Sequence, residues 1–171
     1  MKPILKQIHA LLIRNQLTLA VAESCTGGLL SKLLTDLPGS SRYFLLGIAA
    51  YSNSAKKKLL KIPVALLAKK GAVSQEAAAA LAANIRGIAN ADLGIGITGI
   101  AGPEGGTARK PVGTVFISVA NRRKVICEEF RFSGSRSAVR KKAALKAIEL
   151  LKESIIEKRA NLPHIYHSSE A

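Results

Sequence analysis

Three segments of the chain bring hydroxyl, amine and glycine residues close enough together to do chemistry: AESCTGG (22–28), GSSRYF with YSNSAK (39–56), and TGIAGPEGGTARKPVGT (98–114). Each lies next to a short apolar run, where α/β proteins collect their ligands. The middle segment offers a nucleophile and a base without histidine. A serine hydroxyl attacks a carbonyl only once a neighbour removes its proton, and a lysine can do so when burial or nearby positive charge leaves part of it neutral. Lys56 has Lys57 and Lys58 beside it and Tyr51 five residues before it. From spacing alone, AKKKLLK equally reads as a solvated helix face.

The first segment ends an apolar run and opens a helical one, so backbone N–H groups near Thr26, Gly27 and Gly28 can hold an anion on a helix dipole; a capped helix with close-packing glycines is the plainer alternative. The third has Gly99, Gly102, Gly105, Gly106 and Gly113 with Pro103 and Pro111. It lacks the GxxxxGK[ST] phosphate loop and leads into a strand, unlike a dinucleotide fingerprint. Phosphate binding through backbone amides without ATP chemistry fits it, as does a plain connecting loop.

Composition narrows the field. Only three histidines exist, His9 in a first helical run and His164 and His167 in a polar tail, so histidine-centred catalysis is not expected and the tail pair reads as solvated. Cys25 and Cys127 are too few for a disulfide framework or a zinc site and read as reduced thiols. The net charge of +15 is dispersed: Lys and Arg number 8 against 2 Asp and Glu in residues 1–60, 6 against 3 in 61–120, and 12 against 6 in 121–171. There is no Trp, and Tyr plus Phe number seven. A nucleic-acid binder concentrates charge and interleaves aromatics, so no nucleic-acid partner is expected; a basic surface that attracts anionic small molecules is. Lys6, His9 and Arg14 interrupt the early apolar runs and no later run approaches membrane-spanning length, which predicts a soluble, cytoplasmic protein without a membrane partner.

The elements that must position these residues follow from periodicity. Ile4, Ile8, Leu11 and Leu12 predict an amphipathic helix over 4–16, and LTLAVAES (17–24) a strand. A helix runs from Thr26 to Leu37 and stops at Pro38-Gly39; LGIAAYS (46–52) is the next strand. Residues 54–70 give a basic helical turn, Pro63 and a second short helix, after which Ser74 caps a long alanine-rich helix reaching Ala89. DLGIGIT (92–98) is a buried strand, residues 112–120 and 124–132 form a hairpin, and Val139, Ala143, Ala147, Leu151 and Ile155 line a last helix. Strands alternating with helices and ending in a hairpin predict a single layered α/β/α domain over 1–158, with a mixed sheet of five or six strands and a polar tail over 159–171.

AESCTGG, PGSSRYF, YSNSAK, GAVS, TGIAGPEGGT, KPVGTV and FSGSRSAVR, in this order and spacing, resemble the CinA C-terminal domain family, which includes stand-alone nicotinamide-nucleotide amidohydrolases (PncC). The resemblance covers residues 5–155. It implies deamidation of nicotinamide mononucleotide to nicotinic acid mononucleotide and ammonia, in pyridine-nucleotide recycling, with no metal and no cofactor. The catalytic Ser, Tyr and Lys it implies fall on Ser41, Tyr51 and Lys56, with Ser24 and Ser40 as alternative nucleophiles. Ser41 attacks the carboxamide and forms an acyl-enzyme, Lys56 takes its proton, and Tyr51 relays the proton or holds the lysine.

Substrate contacts implied by the resemblance are Glu23, Ser24, Thr26, Gly27 and Gly28 in the first segment and Thr98, Gly99, Ala101 and Gly102 in the third. The phosphate falls to the glycine loop and to Arg140, with Arg136 as second choice. Two positions depart from the family pattern: Ser135 replaces an acidic residue in FSGxR, and Lys61 a small one. The other domain of full-length family members has no counterpart in these residues, so none of its activity is expected. A homo-oligomer is expected. The alternative is a catalytically silent nucleotide-binding or competence-related module.

Overall fold

In the computed structural model, which describes residues 2–160, five strands form one mixed sheet in the order β2-β1-β3-β4-β5. The helices are α1 (Lys2–Arg14), α2 (Leu29–Thr35), α3 (Asn53–Leu60), α4 (Val64–Lys70), α5 (Gln75–Ile88) and α6 (Arg136–Ala160). The strands are β1 (Leu19–Glu23), β2 (Phe44–Ala49), β3 (Leu93–Gly99), β4 (Thr114–Ala120) and β5 (Val125–Arg131). β1 pairs in parallel with β2 and β3, while β3–β4 and β4–β5 are antiparallel. The layered α/β fold read from the sequence is therefore present, with five strands.

The chain leaves β1 towards β2 on one side, then crosses to β3 on the other. Right-handed crossovers in opposite directions put their helices on opposite faces of the sheet. One face carries the leucine-rich α1 and α2 with α6, packed over Leu19, Val21, Ile95 and Ile117. The other carries α3, α4 and the alanine-rich α5 over Ala20 and Ala22. Small residues on α5 let it lie close to β3: a Cβ on Gly96 would press on the Ala78 carbonyl and the Ala82 amide. Every residue of β1 is buried, as expected of a parallel strand covered on both faces.

Local boundaries depart from expectation for identifiable reasons. Helix α2 starts at Leu29 rather than Thr26, because Gly27 and Gly28 adopt left-handed φ values of 58° and 91° and spend those residues on a turn. Strand β2 starts two residues early and ends at Ala49, which frees Ser52 to cap α3 by accepting a hydrogen bond from the Ala55 N–H at 3.0 Å. Ser74 caps α5 in the same way, through the Ala77 N–H at 3.1 Å. The last helix runs past 158 to Ala160, so the expected boundary falls within α6. Residues 161–171, including His164 and His167, lie outside the described residues. Among the described residues no helix is long and apolar enough to cross a membrane.

Candidate active site

Strand β1 delivers Glu23 and Ser24 to the carboxyl end of the sheet, and the carboxylate of Glu23, fully buried, turns back into the fold. Its Oε2 accepts from the Gly28 and Leu30 N–H groups at 3.0 and 3.1 Å, and its Oε1 from the Ser31 N–H and hydroxyl at 2.8 and 2.6 Å. The anion held by the start of α2 is thus the protein's own carboxylate. Glu23 is committed to this cap rather than to substrate, and it fixes the turn on which Ser24 sits.

Ser24 opens into a cleft of about 280 Å³ lined also by Cys25, Tyr51, Asn53, Lys56, Ala72, Val73, the 98–102 segment, Glu104, Gly105 and Arg136. The crevice lies between the ends of β1 and β3, where the chain's crossovers diverge and α/β sheets open to ligands. Lys56 comes from the first turns of α3, which Ser52 caps. It is only 2% exposed, and its Nζ donates to the Tyr51 carbonyl at 3.2 Å. Burial pulls its pKa below the ordinary 10.5, with a smaller opposing contribution from Cys25. That favours the neutral amine a general base requires. Beside Ser24, burial pushes the Cys25 thiol up to about 12, so it stays protonated and is no competing nucleophile near neutrality.

Tyr51 is 59% exposed, and its hydroxyl meets the Arg136 guanidinium rather than Lys56. Arg136 also donates to the Gly102 carbonyl at 2.7 Å. Thr98 Oγ1 donates to the Ala72 carbonyl at 2.7 Å, tying the GAVS segment to β3 behind the cleft. Thr98, Gly99, Ala101 and Gly102 all line this cleft.

Ser41 does not join this group. It lies exposed on a 3-10 turn (Ser40–Arg42) before β2 begins, whereas Tyr51 and Lys56 follow its end. Since β2 pairs in parallel with β1 from Leu19–Phe44 to Glu23–Ala49, the strand sets Ser41 roughly 20 Å from the cleft. Ser40 shares that location. Of Ser24, Ser40 and Ser41, it is Ser24 that lines the cleft with Lys56.

Three further expectations are redirected. Thr26 is fully buried, and its carbonyl accepts from Arg140 Nε at 3.1 Å and Nη2 at 2.7 Å. Arg140 thereby braces the turn from outside and lines a separate groove with Leu29, Lys32 and Lys141. Gly27 and Gly28 shape the turn without lining the cleft, and a Cβ on Gly27 would come within 3.2 Å of Arg140 Nη2. Arg136, the second choice for an anion, is the arginine at the cleft. Asn53, which also lines it, had no sequence signal beyond its place in YSNSAK.

Residues 1–155 match the family described as the CinA C-terminal domain. A CinA-like protein of Geobacter sulfurreducens is 49% identical over 140 residues, covering 82% of this chain and 34% of that protein. A putative competence-damage inducible protein of Thermoanaerobacter pseudethanolicus is 48% identical over 146 residues, covering 85% and 35%. The chain thus spans about a third of the length of these relatives. Among solved structures, a CinA superfamily protein of Klebsiella pneumoniae aligns with a TM-score of 0.87 at 32% identity, over 91% of this chain and 97% of that one. A competence/damage inducible protein of Agrobacterium tumefaciens aligns at 0.86 and 34% identity, over 88% and 93%.

Proposed function

The chain belongs to the CinA C-terminal domain family, and from that premise we propose that it is an amidohydrolase that deamidates nicotinamide mononucleotide, with Ser24 as nucleophile and Lys56 as base. The observation that carries the reading is a buried lysine, its pKa drawn down by desolvation, sharing one cleft with a serine hydroxyl.

Neutral Lys56 takes the Ser24 proton as Oγ attacks the carboxamide carbon. The tetrahedral intermediate then collapses with cleavage of the C–N bond, and the Lys56 ammonium returns the proton to the departing ammonia. A water deprotonated by Lys56 next hydrolyses the acyl ester, releasing nicotinic acid mononucleotide and restoring Ser24. The Tyr51 carbonyl aims Lys56, and the Tyr51 hydroxyl stands at the cleft rim. Glu23 and Arg140 hold the Ser24 turn from behind. No step calls for a metal ion, and the reading places the protein in pyridine-nucleotide recycling in the cytoplasm.

The test is ammonia release from nicotinamide mononucleotide by the purified chain, with and without EDTA, beside Ser24→Ala and Ser41→Ala. Chelator-insensitive turnover lost in Ser24→Ala and kept in Ser41→Ala supports the reading. Loss in Ser41→Ala alone overturns the site, and mononucleotide binding without turnover leaves a silent binding module.

A further inference from the structure

Arg136 is an unusual choice for its position. It opens α6, where a cation meets the positive end of the helix dipole, and the first turn of that helix carries no acidic residue. Its guanidinium is tied to two neutral oxygens, the Gly102 carbonyl and the Tyr51 hydroxyl. These bonds bridge α6, the β3–β4 loop and the turn before α3 across one rim of the cleft. Among the described residues its hydrogen bonds go to neutral acceptors, although Glu104 lines the same cleft, and a phosphate offers it charge-assisted, bidentate bonds in their place. Tyr51 is in turn the residue whose carbonyl holds Lys56 Nζ. A change at Arg136 therefore reaches the base through one residue.

We propose that Arg136 is an anion-gated latch on Tyr51: a phosphate monoester entering the cleft takes the guanidinium and releases the Tyr51 hydroxyl to the reacting end. The phosphate then acts as a condition for turnover as well as a handle for binding. This rests on the amidase reading for its consequence in turnover, whereas the latch itself is a binding event that can be measured alone. Arg136 thus binds the phosphate directly and acts on the reacting end through Tyr51.

The chain has no Trp and three Tyr, so the part of the tyrosine emission change that is lost in Tyr51→Phe reports on Tyr51. The full chain is titrated with ribose 5-phosphate and, separately, with ribose. We expect a saturable emission change with the phosphate and none with ribose. Arg136→Gln should weaken ribose 5-phosphate binding at least tenfold, while Tyr51→Phe should bind, by calorimetry, with the emission change lost. Equal binding by Arg136→Gln, or an undiminished signal in Tyr51→Phe, overturns the latch. In turnover, the wild type should show a kcat at least tenfold higher for nicotinamide mononucleotide than for its dephosphorylated nucleoside, a ratio that Arg136→Gln brings towards one. A change confined to KM, with the kcat ratio kept, also overturns the latch. If the wild type releases ammonia from neither compound the amidase reading fails, and the ribose 5-phosphate titration still decides the latch.

Discussion

At the amino-terminal end of the parallel strands two neighbouring strand starts are tied by their own polar groups. Asp92 Oδ2 accepts from the Thr18 N–H and hydroxyl at 3.0 and 2.8 Å, and Thr18 Oγ1 accepts from the Asp92 N–H at 2.9 Å, so the starts of β1 and β3 are stitched together. The carboxyl-terminal end of the same two strands stays paired as far as the Ser24 N–H, which donates to the Ile97 carbonyl at 2.9 Å, and the cleft opens beyond it. There Ser24, Lys56 and the 98–102 segment surround open space, and the buried carboxylate of Glu23 serves the turn rather than the cleft. Both ends hold a carboxylate and hydroxyls. What separates them is the company the polar groups keep: at one end Thr18 and Asp92 bond each other and Asp92 also pairs with Arg122 at 3.7 Å, while at the other a serine and a lysine line one cleft.

If the ends divide labour in this way, the largest effect belongs to Ser24→Ala, which should cut ammonia release on the order of 10⁶-fold, as for other serine nucleophiles. Ser41→Ala, at the opposite end of the strands, should change it little in the same assay. Next comes Lys56→Met, expected to lower kcat by about 10²- to 10⁴-fold as loss of a general base. For the wild type, kcat/KM should rise with pH and level off below 10.5, because the folded pKa of Lys56 lies below that value. In that window the unfolded chain binds more protons than the folded one, so wild-type stability should also climb with pH, and chemical denaturation of Lys56→Met should show that slope removed.

A smaller and opposite kind of effect is expected from Asp92→Ala. Leaving the Thr18 donors at β1 without their acceptor should cost about 1–3 kcal/mol in denaturant unfolding, with kcat/KM per folded molecule unchanged. Smallest of all, iodoacetamide at pH 8 should leave activity nearly intact, since Cys25 is 6% exposed and its thiol ionises only near 12. Rapid inactivation by alkylation at Cys25 would reopen the identity of the nucleophile.

The order and kind of elements were legible because the apolar periods are clean: Ser74 capping an alanine-rich helix and the alternating hairpin of 112–132 needed no tertiary information. Boundaries moved where a local backbone choice intervened, as at Gly27 and Gly28, which hold the chain in a turn before α2. Lys56 and Tyr51 were legible as a pair because they share one strand-to-helix turn. The serine was not. GSSR and AESC are both small polar segments beside a strand, and residue type does not say which end of that strand they occupy in space. Arg140 and Arg136, four residues apart on one face of a helix, posed the same difficulty: a rise of about 6 Å along the axis puts the first at the Thr26 carbonyl and the second at the cleft.

By itself the sequence determined the α/β class, the caps and the stock of chemically able residues, because hydrophobic period, glycine and helix-capping chemistry act over a few residues. Only the tertiary structure decided which of them meet. Parallel pairing puts residues 24 and 51 at one end of the sheet and 41 at the other, and the assembled fold supplies the burial that shifts Lys56. Proximity across the sheet and desolvation are properties of contacts distant in the chain, and no local pattern encodes them.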